Sequence, residues 1–436
     1  MDLQFAGRFG ANDHLLDSDL RDLELHQAAN GAVQLFAVSG LNGGIASYSL
    51  GGGAPVLRDS LYHRALGLAG GEATLAEIGG ETRLLVEGST RSALAFHQIG
   101  GNGQLSAQQQ ASLPGAGSAG LTATVAGDLS GGGSVIYGLA KGQLSGWQLG
   151  AGGTPGAEVA TLGAAAAYAR PGAVALELVD LGGGAQLLLL ADRVEQGVQS
   201  YRVDAATGAL SVADSLGAAD GLGLAEPTAL ESFTAFGSSW VVVAAAGSGS
   251  LSLIALAANG QMSLRDHVLD TAATRFGGIT ALEVVEVAGE VLVLAAGSDD
   301  GLALFRILPE GQLVHVTSLA QASGTEDAGL GLENVTALAA AVVGEDLQIF
   351  ASSGSAEGLS QFTLSLAELG DVITTAGGRI SGTGGADVLG RRHRRGAQRG
   401  GGGGCLCAPP RRGGAQWQPA HYGFRGGSGQ SGSVGV

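Results

Sequence analysis

Between Gly278 and Ala320 short apolar runs alternate with turn-forming spacers. Thr280–Val287, Glu290–Ala296, Leu302–Ile307 and Gln312–Leu319 are rich in Val, Leu and Ile, and Ala288-Gly289, Gly297–Gly301 and Pro309-Glu310-Gly311 separate them. Runs this short, enriched in branched residues, read as strands, while Gly, Asp and Pro favour tight chain reversals. The pattern predicts an antiparallel four-stranded meander.

The same unit recurs along the chain. A Thr-Ala-Leu step opens it at Thr228-Ala229-Leu230, Thr280-Ala281-Leu282 and Thr336-Ala337-Leu338, with weaker forms at Val174-Ala175-Leu176, Thr122-Ala123-Thr124 and Ala73-Thr74-Leu75 and a first start near Leu23–Leu25. A glycine turn leading into a last strand closes it, as at Gly208-Ala209-Leu210, Gly260-Gln261-Met262 and Gly311-Gln312-Leu313. Starts about 50 residues apart are the spacing of four-stranded blades. The expected fold is all-β, a β-propeller of about seven four-stranded blades over residues 1–376. A closed ring hides its sheet edges; either Leu3–Phe9 or Val372–Thr375 is expected to complete the last blade.

The hairpin Tyr201-Arg202-Val203-Asp204-Ala205-Ala206-Thr207-Gly208-Ala209-Leu210 resembles the Tyr/Asp/Thr-Gly/Leu turn of the seven-bladed lactonase-like propellers. The resemblance covers this hairpin well and the others loosely. It implies the fold and bears little on activity.

Composition agrees with many short strands and turns: 45% of the 436 residues are hydrophobic, with 79 glycines and 9 prolines. No window approaches the roughly 18–20 apolar residues of a membrane-spanning helix. Charge changes the picture more. Every acidic residue lies at or before Asp387, whereas Arg391, Arg392, Arg394, Arg395, Arg399, Arg411, Arg412, Arg425 and both cysteines, Cys405 and Cys407, lie after it. The part before Gly390 holds 14 of the 22 basic residues and all 39 acidic ones, a net charge of −25. So acidic a body argues against nucleic acid and anionic membranes as partners; a monomer is expected. The first twenty residues lack a basic segment followed by an apolar one, so no N-terminal signal peptide is expected.

At the composition break, Ile380-Ser381-Gly382-Thr383-Gly384-Gly385-Ala386-Asp387-Val388-Leu389 resembles one turn of the repeats-in-toxin (haemolysin-type) calcium repeat. Glycine turns expose main-chain carbonyls and the aspartate adds a carboxylate, the hard oxygen donors Ca²⁺ prefers. The resemblance makes Gly382, Gly385 and Asp387 candidate Ca²⁺ ligands in the start of a parallel β-roll, residues 377–389. One turn supplies half a site, and Thr383 stands where the family prefers a glycine. Shifted one base forward, common codons for Gly404–Ala408 permit Asp-Val-Phe-Val, and those for His421–Arg425 permit Ile-Thr-Asp-Phe, fragments typical of the end of a calcium-repeat block. Residues 390–436 are therefore expected to be a frameshifted, disordered Gly/Arg-rich tail. The alternative is an authentic tail of that composition.

Candidate chemistry in the body is sparse. The connectors Gly217–Glu226, Asp270–Gly278 and Ala320–Asn334 are expected on one propeller face around the channel, where ligands usually bind. They offer Asp220, Glu226, Asp270, Glu326, Asp327 and Glu333 as a ligand rim. There is no HExxH, Cys/His cluster, G-x-S-x-G elbow or phosphate loop. His267 and His315 read as strand-face residues, Trp147 and Trp240 as core, and no catalytic residue is assignable. The expected function is a secreted, calcium-binding propeller that acts as an interaction module on an unidentified extracellular ligand, exported through a C-terminal signal. The alternatives are a lactonase-like hydrolase working in the channel and an intracellular scaffold.

Overall fold

The computed structural model describes residues 2–40, 43–63, 73–78, 81–87, 93–106, 109–114, 121–140, 143–150, 153–159, 173–321, 329–369, 374–376 and 379–381. Residues Met1–Gly370 form one compact unit. An edge strand, β1 (Gln4–Phe9), and a short helix, α1 (His14–Asp17), precede the first blade, β2 (Leu20–Gln27), β3 (Val33–Ser39), β4 (Gly44–Leu50) and β5 (Val56–Tyr62). The second blade is β6 (Ala73–Ile78), β7 (Glu81–Glu87), β8 (Ala93–Gln98) and β9 (Gln109–Ser112); the third is β10 (Leu121–Asp128), β11 (Ser134–Ala140), β12 (Gln143–Leu149) and β13 (Pro155–Glu158). The fourth is β14 (Ala173–Asp180), β15 (Gln186–Asp192), β16 (Gly197–Val203) and β17 (Leu210–Gly217), and the fifth β18 (Pro227–Ala235), β19 (Ser238–Ala245), β20 (Ser250–Leu256) and β21 (Met262–Leu269). The sixth is β22 (Ile279–Val287), β23 (Glu290–Gly297), β24 (Gly301–Leu308) and β25 (Gln312–Ala320). The seventh is β26 (Val335–Val343), β27 (Asp346–Ser353) and β28 (Leu359–Ser365), completed by β1.

Every blade is an antiparallel meander, and the ring closes through β1, which pairs with β28 from Gln4↔Thr363 to Phe9↔Leu359. Of the two segments able to close it, the N-terminal one does so. Thr374–Ala376 instead forms a small hairpin, β29, with Arg379–Ser381, β30, outside the compact unit.

The inner strands β2, β6, β10, β14, β18, β22 and β26 touch one another in turn around the centre, and β26 returns to β2. Burial follows from this layering. The second strands, packed on both faces by neighbouring blades, are apolar almost throughout: Leu187–Ala191, Val241–Ala245 and Val291–Ala296 are fully buried. Seven hydrophobic clusters occupy the seams between blades, such as Val242, Leu253, Val293 and Phe305 between the fifth and sixth. Fully burying one such side chain stabilises the fold by roughly 1.5–3 kcal/mol. Trp147 and Trp240 lie in these seams, as expected.

The glycine closing each unit has a double cause. Gly208, Gly260 and Gly311 have φ of +74°, +87° and +82°, and a Cβ there would meet Val135, Ala213 or Trp240 at 3.0, 2.5 and 3.0 Å. The turn needs a left-handed residue, and the adjoining packed side chains leave no room for a side chain. In the lactonase-like hairpin Asp204 Oδ1 accepts hydrogen bonds from the Thr207 hydroxyl (2.7 Å) and from the Thr207 and Ala206 amides (2.9 and 3.2 Å). Tyr201 is buried in the seam between the third and fourth blades. The motif is thus a turn and an anchor.

Candidate functional site

The opening step of each unit builds the channel. The pairing of inner and second strands slips by one residue at Arg21, Thr122, Val174, Thr228, Thr280 and Thr336, each a β-bulge at the start of its strand. At the last three the bulged threonine donates its hydroxyl to the next blade: Thr228 Oγ1 to Ile279 O (2.9 Å), Thr280 Oγ1 to Val335 O (2.5 Å) and Thr336 Oγ1 to Leu20 O (2.7 Å). The Thr-Ala-Leu step is therefore a staple between blades.

Because these bulges share one register, residues three positions after them occupy equivalent places on the inner strands. Those residues are Glu24, Val125, Glu177, Glu231, Glu283 and Ala339, so four of these six blades carry a glutamate at this place. Glu24, Glu231 and Glu283, together with Asp22, line a cavity of about 420 Å³ walled by β2, β18, β22 and β26. Glu177 belongs to the same charged group, acting on Glu24 and Glu231.

The carboxylates divide by their hydrogen bonds. Glu177 Oε1 accepts from the Ser232 hydroxyl (2.6 Å) and amide (3.4 Å), and Glu283 Oε1 accepts from the Ala340 amide (3.1 Å), in each case from the next blade. Asp22 accepts from the amides of Ala73 (3.0 Å) and Leu23 (2.9 Å). Glu24 and Glu231 accept no hydrogen bond from a described residue. Burial pushes Glu177 up to about 7 and Glu283 up to about 8, against the donors that favour their charged forms. Burial, then the surrounding carboxylates, hold Glu24 and Glu231 well above the ordinary glutamate value. Carboxylates crowded in a poorly solvated channel cannot all ionise, so the group shares protons near neutral pH. The arrangement places hydrogen-bonded carboxyl groups beside carboxyl groups with no described donor, a set able to exchange protons near neutral pH as general acid–base work requires.

The acids expected on the connectors lie apart from this cavity's described lining. Asp220 and Glu226 are exposed, Asp220 accepting the Gly217 amide at 3.1 Å, and Glu333 is exposed as well. Asp270 caps its own turn, accepting from the Thr274 hydroxyl and the Phe276 amide, both at 2.9 Å. Glu326 and Asp327 lie outside the described residues, as do Gly382, Gly385, Asp387 and the tail. Among the described residues no three His, Cys, Asp or Glu side chains are placed to share a metal ion. His267 and His315, read as strand-face residues, bond Ser252 and Ser318 on the outer part of their blades, both at 2.8 Å.

The channel glutamates were missed in the sequence, although a signal was present. Glu177, Glu231 and Glu283 each directly follow the Ala-Leu of the opening step, where an inner strand should carry an apolar or small residue.

No protein-family model matches the chain, and no curated protein sequence matches it. Solved structures do resemble it. A protein of Lactobacillus plantarum superposes with a TM-score of 0.51 at 15% identity, covering 70% of this chain and 85% of that one. A Bacteroides fragilis protein, provisionally named a 6-phosphogluconolactonase, superposes with a TM-score of 0.50 at 12% identity, covering 72% and 85%. A Bacteroides uniformis protein with the same provisional name gives 0.49 at 14%, covering 68% and 84%. At these identities the likeness to the first two establishes a shared seven-bladed propeller fold.

Proposed function

We propose that the chain is a lactonase-like hydrolase that opens a cyclic ester in the channel cavity. The observation that carries this reading is the division of the cavity carboxylates: Glu283 is held by the Ala340 amide, whereas Glu24 and Glu231 have no donor among the described residues. A hydrogen-bonded carboxylate keeps its charge more readily and suits the base; carboxyls without donors keep their protons and suit the acid. In this scheme Glu283 takes a proton from water as its oxygen attacks the ester carbonyl. Glu231 or Glu24 gives a proton to the ring oxygen as the carbonyl–oxygen bond breaks. Water and lactone become one hydroxy acid, and no other reactant is consumed. The provisional name of the Bacteroides fragilis relative points to the same class of reaction. The test is a panel of lactones incubated with the intact chain and with Glu231→Gln and Glu283→Gln. Opening above the spontaneous rate, lost by about a hundredfold or more in either variant, supports the reading; a chain inert to the whole panel rejects it.

A second reading, a calcium-binding exported interaction module, rests on the Ile380–Leu389 motif. Calcium titration of the full chain by calorimetry tests the metal part. Binding abolished by Asp387→Ala supports it, and heat unchanged by that substitution rejects it. Appearance of the chain in the culture medium of its source tests export.

A further inference from the structure

We infer that the channel cavity takes an uncharged, hydroxylated cyclic ester and turns away its phosphorylated counterpart. The inference rests on the hydrolase reading and narrows it to a substrate class. Among the described residues lining the cavity, Asp22, Glu24, Glu231 and Glu283 are acidic and Arg21 alone is basic. Arg21 is already engaged: its Nη2 and Nε meet the Asp19 carboxylate at 3.1 and 3.3 Å. It also sits at the bulge that opens β2, directly before Asp22 and three residues before Glu24, so both acids lie close in sequence to the one basic residue of the described lining.

A phosphate monoester carries close to two negative charges near neutral pH and is held by forked guanidinium donors or by a helix N-terminus. Neither is available. Among the described residues the lining comes from strands β2, β18, β22 and β26, and the guanidinium is paired. The two carboxyl groups without donors suit hydroxyl groups instead, since a carboxyl can give or accept a hydrogen bond from each. The cavity's 420 Å³ lies within the roughly 300–1,000 Å³ of small-molecule sites. The product adds to the argument. Opening a neutral lactone creates a carboxylate inside an acidic cavity, and like charge then favours its departure.

The experiment compares kcat/KM of the full chain for glucono-1,5-lactone and for its 6-phosphate at low ionic strength, each corrected for spontaneous opening. The expected result is a phosphorylated substrate slower by about a hundredfold or more. That gap is expected to narrow as salt is added, because screening weakens the repulsion. Asp22→Asn, which takes one acidic group out of the cavity, is expected to narrow the ratio between the two substrates several-fold, whatever it does to the rate on the neutral one. The salt series on the unaltered chain gives the same answer if that variant fails to fold. A phosphorylated lactone opened as fast as the neutral one, or a gap indifferent to salt, overturns the inference and leaves the hydrolase reading standing. Opening of neither lactone above background overturns both.

Discussion

Thr336 donates its hydroxyl to the carbonyl of Leu20 at 2.7 Å, joining the seventh blade to the first by the bond that Thr280 and Thr228 make one blade further back each. The hydroxyl also lies 2.8 Å from Ser352 Oγ. Thr336→Val keeps the shape of the side chain and removes the bond, leaving the Leu20 carbonyl without that donor. The expected cost is about 1–2 kcal/mol, read as a lower urea midpoint with an unchanged slope. A midpoint equal to that of the parent would show that the staple contributes nothing to closing the ring.

The channel carboxylates are expected to weaken the fold as pH rises. Glu177 and Glu283 have folded values near 7 and 8, above the ordinary 4.5. Between 4.5 and those values the folded chain binds more protons than the unfolded one, so stability falls as pH rises through that window and is fully present below it. Glu231→Gln takes one titrating carboxyl group out of the crowded set. Its melting temperature is expected to exceed that of the parent at pH 8 and to approach it near pH 4.5. A variant equally stabilised at both pH values would place the effect outside the titration.

Most of the architecture was legible because it depends on local chemistry repeated in phase. The strands Glu290–Ala296 and Gln312–Leu319 were bounded to within a residue by Gly289, Gly297 and Gly311, and the seven starts came from one short step. Ring closure was ambiguous, since Leu3–Phe9 and Val372–Thr375 are both apolar and short. Pairing with β28 and burial of Leu3 decide between them, and both are long-range. The site was less legible for a physical reason. Loop acids such as Asp220 stand out by composition, whereas Glu231 and Glu283 look like solvent-facing residues of ordinary strands until inner strands from several blades are brought around one axis.

Two buried histidines are expected to weaken the fold on the acid side. His63 and His97 are fully buried; His63 Nε2 lies 2.8 Å from the Ser39 carbonyl, and His97 Nδ1 lies 3.2 Å from that of Ser106. Among the described residues His63 Nδ1 and His97 Nε2 have no hydrogen-bond partner. Burial lowers both below the ordinary 6.5, His63 further through Arg21 and His97. The unfolded chain then binds more protons as pH drops below 6.5, and stability is lost on that side. His97→Gln is expected to flatten the decline between pH 6.5 and 5 in a denaturation series. An unaltered slope would assign the acid sensitivity to other groups.

The edge strand gives the last test. Phe9 stands edge-on to Tyr48 of the first blade and Phe350 of the seventh, at 5.1 and 5.9 Å, and Phe5 meets Phe362 at 5.5 Å. β1 therefore fills a seam as well as covering the β28 edge. Deleting residues 2–9 bares a row of main-chain donors and acceptors together with apolar surface, the combination that templates pairing between chains. The expected outcome is a concentration-dependent dimer or larger assembly in sedimentation, reversed by adding a peptide of residues 2–9 that restores the fourth strand. Phe9→Ala leaves the ladder intact and loses only the ring contacts, so it is expected to lower stability while the chain stays monomeric. If the deletion stays monomeric and as stable as the parent, the three strands of the seventh blade close the ring unaided and β1 is an accessory.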